Sequence, residues 1–184
     1  MLDLPYTQLF ITRPQVQNAA LKVKLEEAFL KSHIHIPVID FPLLKIIPTK
    51  EHPLARNLSD SLQKSSWVHV VSPNALIVSD QLLKSFHFDW PKHLSFALIG
   101  AGTEQTLKSL QIPFEQIVQP FNEDHWDSEG LWEALQMTGI DWNGIQITWI
   151  AGDGGRTFLQ EHLDQAGAKI SERSEEQTSE LQSH

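Results

Sequence analysis

The fold is decided by the stretch WVHVVSPNALIVSDQLLK, which runs from residue 67 to residue 84. Its first five residues form an apolar run typical of a buried strand, Ser72-Pro73-Asn74 indicates a turn, and the rest recurs with helical spacing. The same order of strand, turn and helix returns over residues 94–110, 114–137 and 145–166. Repeated units of this kind predict an α/β fold, a doubly wound, flavodoxin-like parallel sheet covered by helices.

The residues before this stretch continue the pattern with shorter elements. We expect a strand over residues 8–12, an amphipathic helix over 15–31, extended segments over 34–39 and 42–48, and a helix over 51–63. Pro14 suits the first turn of the helix that follows it. The native end of the pattern is expected at the strand that begins with Ala168.

Composition excludes several classes of protein. The chain has 184 residues, no Cys, and a net charge of −9 from 14 basic and 23 acidic residues. A disulfide scaffold, a Cys-based zinc finger and a Cys nucleophile are therefore excluded. The acidic balance disfavours nucleic-acid binding, and no apolar run reaches the roughly 18–20 residues that span a bilayer. No secretory signal opens the chain, so we expect a cytoplasmic globular protein.

The last twelve residues, RSEEQTSELQSH over 173–184, differ from the rest of the chain. They resemble the translation of a sequencing adapter, RSEEHTSELQSH, with Gln177 as the single difference. We therefore treat 173–184 as a non-native tail and leave it out of the fold. The alternative is a natural acidic C-terminus, or a short helix with Ser174 and Gln177 as a capping box. If the tail is foreign, the native protein is longer than this chain.

The strand-end turns are the candidate ligand sites, because ligands of open parallel sheets bind beyond the carboxyl ends of the strands. Gly100-Ala101-Gly102-Thr103 lacks the third small residue of a dinucleotide fingerprint. It is either a helix N-terminus that holds an anion or a tight turn with Thr103 as N-cap. The stretch from Gly152 to Arg156 lacks the Gly-Lys-Ser/Thr of a P-loop. It suits a carboxylate or phosphate, or is a flexible turn with a solvated Arg.

Other polar residues carry weaker signals. Ser72 is either a turn residue or a donor to a ligand, and Ser128 is expected to cap a helix. His33 and His35 would share one face of a strand, but zinc needs three or four ligands. The remaining histidines are interpreted as surface or boundary residues, and Trp126, Trp132, Trp142 and Trp149 as packing residues. No catalytic triad, metal set or pair of carboxylates stands out.

Taken together, the turns resemble the uroporphyrinogen-III synthase family. The resemblance rests on the opening Thr12-Arg13-Pro14 and on four later segments in family order, namely VVSPNA at 70–75, ALIGAGT at 97–103, SEGL at 128–131 and AGDGGR at 151–156 with Gly167-Ala168. It covers about residues 8–170. The family implies two similar α/β domains joined by two strands, one domain being split and the other a continuous insertion.

The resemblance implies a domain plan for this chain. Residues 1–38 would begin the split domain and remain incomplete, and 39–49 would be a connecting strand. Residues 50–167 would form the inserted domain and 168–172 the start of the return strand, with 173–184 as the non-native tail. The full-length family member is expected to be a monomer.

The family's reaction is the cyclisation of hydroxymethylbilane to uroporphyrinogen III, with loss of water and inversion of the last pyrrole ring. No metal and no cofactor is implied, and the ligand is a small linear tetrapyrrole with eight carboxylates. Matching positions assign substrate binding to Arg13, Ser72, Asn74, Gly102, Thr103, Ser128, Gly154, Gly155 and Arg156. The catalytic residue is unknown, because the family's candidate tyrosine beyond Ala168 is absent and Tyr6 is the only tyrosine. This chain is then expected to be weakly active or inactive, and the alternative is a non-catalytic α/β module that binds a small anion.

Overall fold

A computed structural model describes residues 8–13, 15–42, 51–122, 125–151 and 157–174. The chain divides into two compact units, Met1–Ile47 and Pro48–His184. In the first unit, strand β1 (Leu9–Ile11) and strand β2 (Val38–Asp40) pair in parallel and are connected through helix α1 (Gln15–Lys31). This is one βαβ unit, and a parallel pair requires such a crossover connection.

The second unit is a five-stranded sheet with helices between its strands. Its elements are α2 (His52–Lys64), β3 (Trp67–Val70), α3 (Pro73–Ser85), β4 (Ser95–Leu98), α4 (Ala101–Ser109), β5 (Ile117–Val118), α5 (Ser128–Met137), β6 (Gln146–Ala151), α6 (Phe158–Gln165) and β7 (Lys169–Ser174). The strand order is β5-β4-β3-β6-β7 and every pair is parallel. The predicted parallel α/β sheet is confirmed. Numbered within the sheet, its order is 3-2-1-4-5, whereas flavodoxin itself has 2-1-3-4-5.

Alternation along the strands divides the core between the two faces of this sheet. Val68 and Val70 of β3 pack with buried residues of α2, α3 and α4 on one face. Trp67 of the same strand packs with buried residues of α5 and α6 on the other face. Successive side chains of a strand point to opposite faces, so one strand serves both cores. The helices therefore cover both faces of the sheet, as the doubly wound prediction requires.

Two helix starts differ from the sequence-based expectation. Thr103 was a candidate N-cap, but α4 begins at Ala101 after Gly100, whose positive φ of 97° turns the chain three residues earlier. Ser128 was expected to cap α5, but Asp127 is the N-cap and its Oδ1 accepts a hydrogen bond from the Gly130 N–H at 2.8 Å. Both predictions were wrong because Gly100 and Asp127, which come earlier in the chain, occupy the two N-cap positions.

Several strand bounds are also narrower than predicted. Only Val38 and Ile39 of the expected segment 34–39 belong to β2. The strand expected at the start of the unit 114–137 is reduced to Ile117 and Val118 of β5. The expected extended segment 42–48 lies, from residue 43 onward, outside the described residues. Strand β7 runs to Ser174 and pairs with β6 throughout, two residues into the segment 173–184. In the part of the chain that the structure describes, no helix has the length and apolar character needed to cross a membrane.

Candidate functional site

The candidate site lies at the carboxyl edge of the five-stranded sheet, the edge where its strands end. Strand β3 is the central strand, with β4 on one side and β6 on the other. The chain leads from β3 to β4 and β5, then crosses back to β6, so the order of strands reverses between β3 and β6. A crevice opens at such a switch point and is the usual ligand site of an open α/β sheet. Ser72 follows the end of β3 at this position, after Val71.

The turn after β3 is held by a helix cap. Ser72 is the N-cap of α3, and its Oγ accepts a hydrogen bond from the Ala75 N–H at 3.1 Å. Pro73 occupies the first helical turn, where a missing N–H costs nothing. Ser72 and Asn74 are both half-buried. The hydroxyl of Ser72 is thus committed to the helix as an acceptor, while its own hydrogen remains available to donate.

The turn after β4 places Gly102 and Thr103 in different surroundings. Gly102 is exposed, and an ideal Cβ there would lie 3.6 Å from Cγ of Pro73, so the starts of α3 and α4 are in contact. Thr103 is only 1% exposed, and its backbone N–H donates to the Gly100 carbonyl at 3.1 Å. The first amides of a helix have no partner within it, so the amides at Ala101 and Gly102 are the donors of this turn. Thr103 therefore supports the turn from within.

The turn before α5 uses a carboxylate as its cap. The Asp127 carboxylate accepts from a backbone amide at the helix N-terminus, a donor that would otherwise be free for an anionic ligand. Ser128, the first residue of α5, is buried with 7% of its surface exposed. The Ser128 side chain is thus largely shielded from solvent.

The remaining predicted binding residues lie in the first unit or outside the described residues. Arg13 follows β1 in the first unit and is exposed. Gly154, Gly155 and Arg156 lie outside the described residues, in the segment between Ala151 of β6 and Thr157. The structure therefore places Ser72, Asn74, Gly102, Thr103 and Ser128 in the second unit and leaves the roles of all nine residues as predictions.

His69 is a residue whose environment the sequence analysis missed. It lies within β3, is 1% exposed, and its Nδ1 is 2.9 Å from the carbonyl oxygen of Ala97. Its ring lies against that of Trp149, with 4.0 Å between the centroids. Burial lowers the pKa of His69 to about 4, against a smaller upward effect of the hydrogen bond to Ala97. The apolar neighbours on both sides of His69 in the strand were the signal for a buried, neutral imidazole.

No cluster of three or more His, Asp or Glu side chains able to hold a metal ion occurs in the described ranges. His33 has a positive φ of 54° and lies in the turn after α1, and β2 begins only at Val38. The two imidazoles of His33 and His35 therefore do not share a strand face.

Comparison with known proteins identifies the family. A family model described as "Uroporphyrinogen-III synthase HemD" matches residues 24–174. The chain belongs to the uroporphyrinogen-III synthase family. Its relatives include the uroporphyrinogen-III synthase of Proteus mirabilis, which is 27% identical over 165 residues, or 89% of this chain and 76% of that protein.

Solved structures of the same family share the fold. A mutant uroporphyrinogen-III synthase from the extremely thermophilic bacterium Thermus thermophilus matches 92% of this chain with a TM-score of 0.58 at 13% identity. The wild-type protein of that organism matches 91% with a TM-score of 0.51 at 12% identity. The chain spans 62% and 60% of the lengths of these two structures. At such low identity, the likeness to uroporphyrinogen-III synthase structures concerns the fold alone.

Proposed function

We propose that this chain carries the substrate-binding domain of a uroporphyrinogen-III synthase, which cyclises hydroxymethylbilane with inversion of the last pyrrole ring and loss of water. The observation that carries the proposal is the family match over residues 24–174, which spans the carboxyl edge of the sheet. The ligand's carboxylates would meet that edge, where helix starts at Ser72 and Gly102 provide N–H and O–H donors.

The proposed role of the protein in the reaction is to hold the two ends of the linear ligand together. Ring closure then becomes an intramolecular step, and proximity alone can supply a large part of the acceleration. Backbone amides suit this task in an acidic chain of net charge −9, because they attract carboxylates without a basic surface. Arg13, Asn74, Thr103, Ser128, Gly154, Gly155 and Arg156 remain predicted members of the binding set. No metal or cofactor is part of the proposal.

Turnover is expected to be weak. The residues from Lys169 to His184 contain no tyrosine, so the group expected to assist departure of the hydroxyl is missing from this sequence. Binding should be retained where catalysis is not. We propose that the protein is cytoplasmic and that it is a monomer when full length.

The test is to titrate the full chain with uroporphyrin III, the oxidised and stable octacarboxylate macrocycle, and to follow its absorbance. Saturable binding of uroporphyrin III, together with slow or absent formation of uroporphyrinogen III from hydroxymethylbilane, is the expected result. Failure to bind uroporphyrin III under conditions where citrate binds would instead support the alternative function, a module for small anions.

A further inference from the structure

Two buried N–H donors stand unused beside the proposed site. The side-chain nitrogens Nε2 of Gln119 and Nε1 of Trp126 are shielded from solvent and have no hydrogen-bond partner among the described residues. A buried donor without a partner has lost its hydrogen bond to water and gained none in return, which is why folded proteins contain few of them. Two such donors in one connection, the loop between β5 and α5, need a physical reason.

Both donors are at the carboxyl edge. Val118, the last residue of β5, pairs with Ala97 of β4, so Gln119 enters the loop beside the end of β4. The ring of Trp126 lies over the turn that follows β4, because an ideal Cβ on Gly100 would be 3.9 Å from its Cε3 atom. The Trp126 side chain therefore flanks the turn from Gly100 to Gly102, whose amides open helix α4, and Gln119 follows the strand that pairs with β4.

A third unused indole in the same unit provides a contrast. Nε1 of Trp142 is also buried without a partner in the described part of the chain. Its ring packs edge-on against Trp67, the first residue of β3, with centroids 5.3 Å apart. Trp142 therefore lies towards the amino ends of the strands, away from the carboxyl edge.

We propose that Trp126 Nε1 and Gln119 Nε2 are donors to carboxylate groups of the ligand, and that they form a subsite with the Gly100–Gly102 turn. This inference rests on the proposed function. A carboxylate has only acceptor atoms, and both unused groups are donors, so the chemistry matches. Hydrogen bonds to an ionised acceptor are about twice as strong as neutral ones.

Occupying the subsite requires displacement of the atoms that cover the two donors. That exchange is favourable because each N–H gains a partner that it lacks without the ligand. The two N–H groups are thus shielded from water until a carboxylate reaches them. The unpaired donors destabilise the unliganded fold, and binding removes that destabilisation, which adds to the affinity.

The test compares two matched tryptophan variants of the full chain, Trp126→Phe and Trp142→Phe. Each keeps an aromatic ring and removes one unpartnered N–H. Without ligand, both variants should unfold at or above the temperature of the original chain. With uroporphyrin III, Trp126→Phe should weaken binding by between about tenfold and a hundredfold, as expected for a hydrogen bond to a charged group. Trp142→Phe should stay within about twofold, since its N–H is far from the carboxyl edge.

Equal affinity of Trp126→Phe and the original chain would overturn the proposal, as would equal losses in both variants. If Trp126→Phe does not fold, Gln119→Leu decides the question against Gln116→Leu, whose exposed side chain lies just before β5. Only the Gln119 variant should lose affinity.

Citrate separates this inference from the proposed function. If the original chain ignores uroporphyrin III, the proposed function fails, and the subsite is then tested by thermal unfolding in citrate, a tricarboxylate. A stabilisation by citrate that Trp126→Phe lacks and Trp142→Phe retains supports the subsite. No stabilisation of the original chain overturns it.

Discussion

The carbonyl oxygen of His125 fills the space that a side chain on Gly130 would need. An ideal Cβ at Gly130 would come within 2.1 Å of that oxygen, a distance that side chains do not show in folded proteins. The loop before α5 is thus pressed against the first turn of its own helix. It is held there by the Asp127 carboxylate, which accepts from the Gly130 N–H at 2.8 Å.

Replacing Gly130 with Ala should therefore destabilise the fold, although Ala favours helix. We expect Gly130→Ala to lose about 1–3 kcal/mol in the free energy of unfolding, because backbone must move to admit the methyl group. Gly102→Ala is the matched control, since its Cβ would meet only Pro73 at 3.6 Å. That variant should gain up to about 1 kcal/mol from helix propensity. Urea unfolding measures both, and a stabilised Gly130→Ala would contradict the contact with His125.

His69 should make the stability of the fold fall in mild acid. Its pKa is lowered by burial to about 4 in the folded chain, against about 6.5 when unfolded. As the pH falls from 6.5 towards 4, the unfolded chain takes up a proton that the folded chain refuses. The loss should approach about 3 kcal/mol at pH 4 and level off below it.

The free energy of unfolding is measured with urea between pH 7 and pH 4 and plotted against pH. Other groups also titrate in that range, so a variant without His69 must be compared with the original chain. The slope should be shallower in His69→Gln, which cannot take up the proton, than in the original chain. Identical slopes for the two proteins would show that His69 is not buried as a neutral ring.

Asp80 should matter for stability through a single acceptor atom. This residue is 3% exposed, and its Oδ1 accepts from the indole N–H of Trp90 at 3.1 Å, while Oδ2 is 2.8 Å from Nζ of Lys84. Asp80→Ala leaves the Trp90 N–H unpaired and creates a cavity, at a cost of about 2–4 kcal/mol. Asp80→Asn keeps an acceptor and loses only the pair with a largely exposed lysine, at about 1 kcal/mol. Thermal unfolding compares the stabilities of the two variants. Equal destabilisation of both would show that the hydrogen bond from Trp90 to Asp80 does not account for the effect.

Charge at Ser72 distinguishes a structural cap from a ligand contact. Asp and Asn cap helices about as well as Ser, so Ser72→Asp and Ser72→Asn should both keep the stability of the original chain to within about 1 kcal/mol. Ser72→Asp should weaken binding of uroporphyrin III by about fivefold or more, because a new negative charge faces the carboxylates. Ser72→Asn should change it less. If the two variants bind alike, the ligand's carboxylates do not approach this turn.

Much of the architecture was predictable, because the strands are short apolar runs and the helices have apolar residues at helical spacing. The turns at Ser72 and Gly100 followed from Pro and Gly at strand ends, and the structure has helices starting beside both. Helix caps were less predictable. Thr103 and Ser128 are good cap residues by type, but Gly100 and Asp127 precede them and take the position.

Two environments could not be predicted from pattern alone. A fully buried parallel strand has no alternation of polar and apolar residues, so His69 gives no sign of which helices it faces. Trp126 was interpreted as a packing residue, and it does pack over Gly100. That its N–H has no hydrogen-bond partner among the described residues can be seen only from the surrounding atoms. Contacts between residues distant in sequence decide such details.

The position of β3 has a consequence for how the chain is made. It is the first strand of its sheet to leave the ribosome and the central one in the finished sheet, with β4 and β5 added outward on one side and β6 and β7 on the other. Each newly synthesised strand after β3 finds a neighbour already present, and none must be inserted between two earlier strands. Domains generally fold as units during synthesis, and this order allows each later strand to pair at an edge of the sheet that β3 begins.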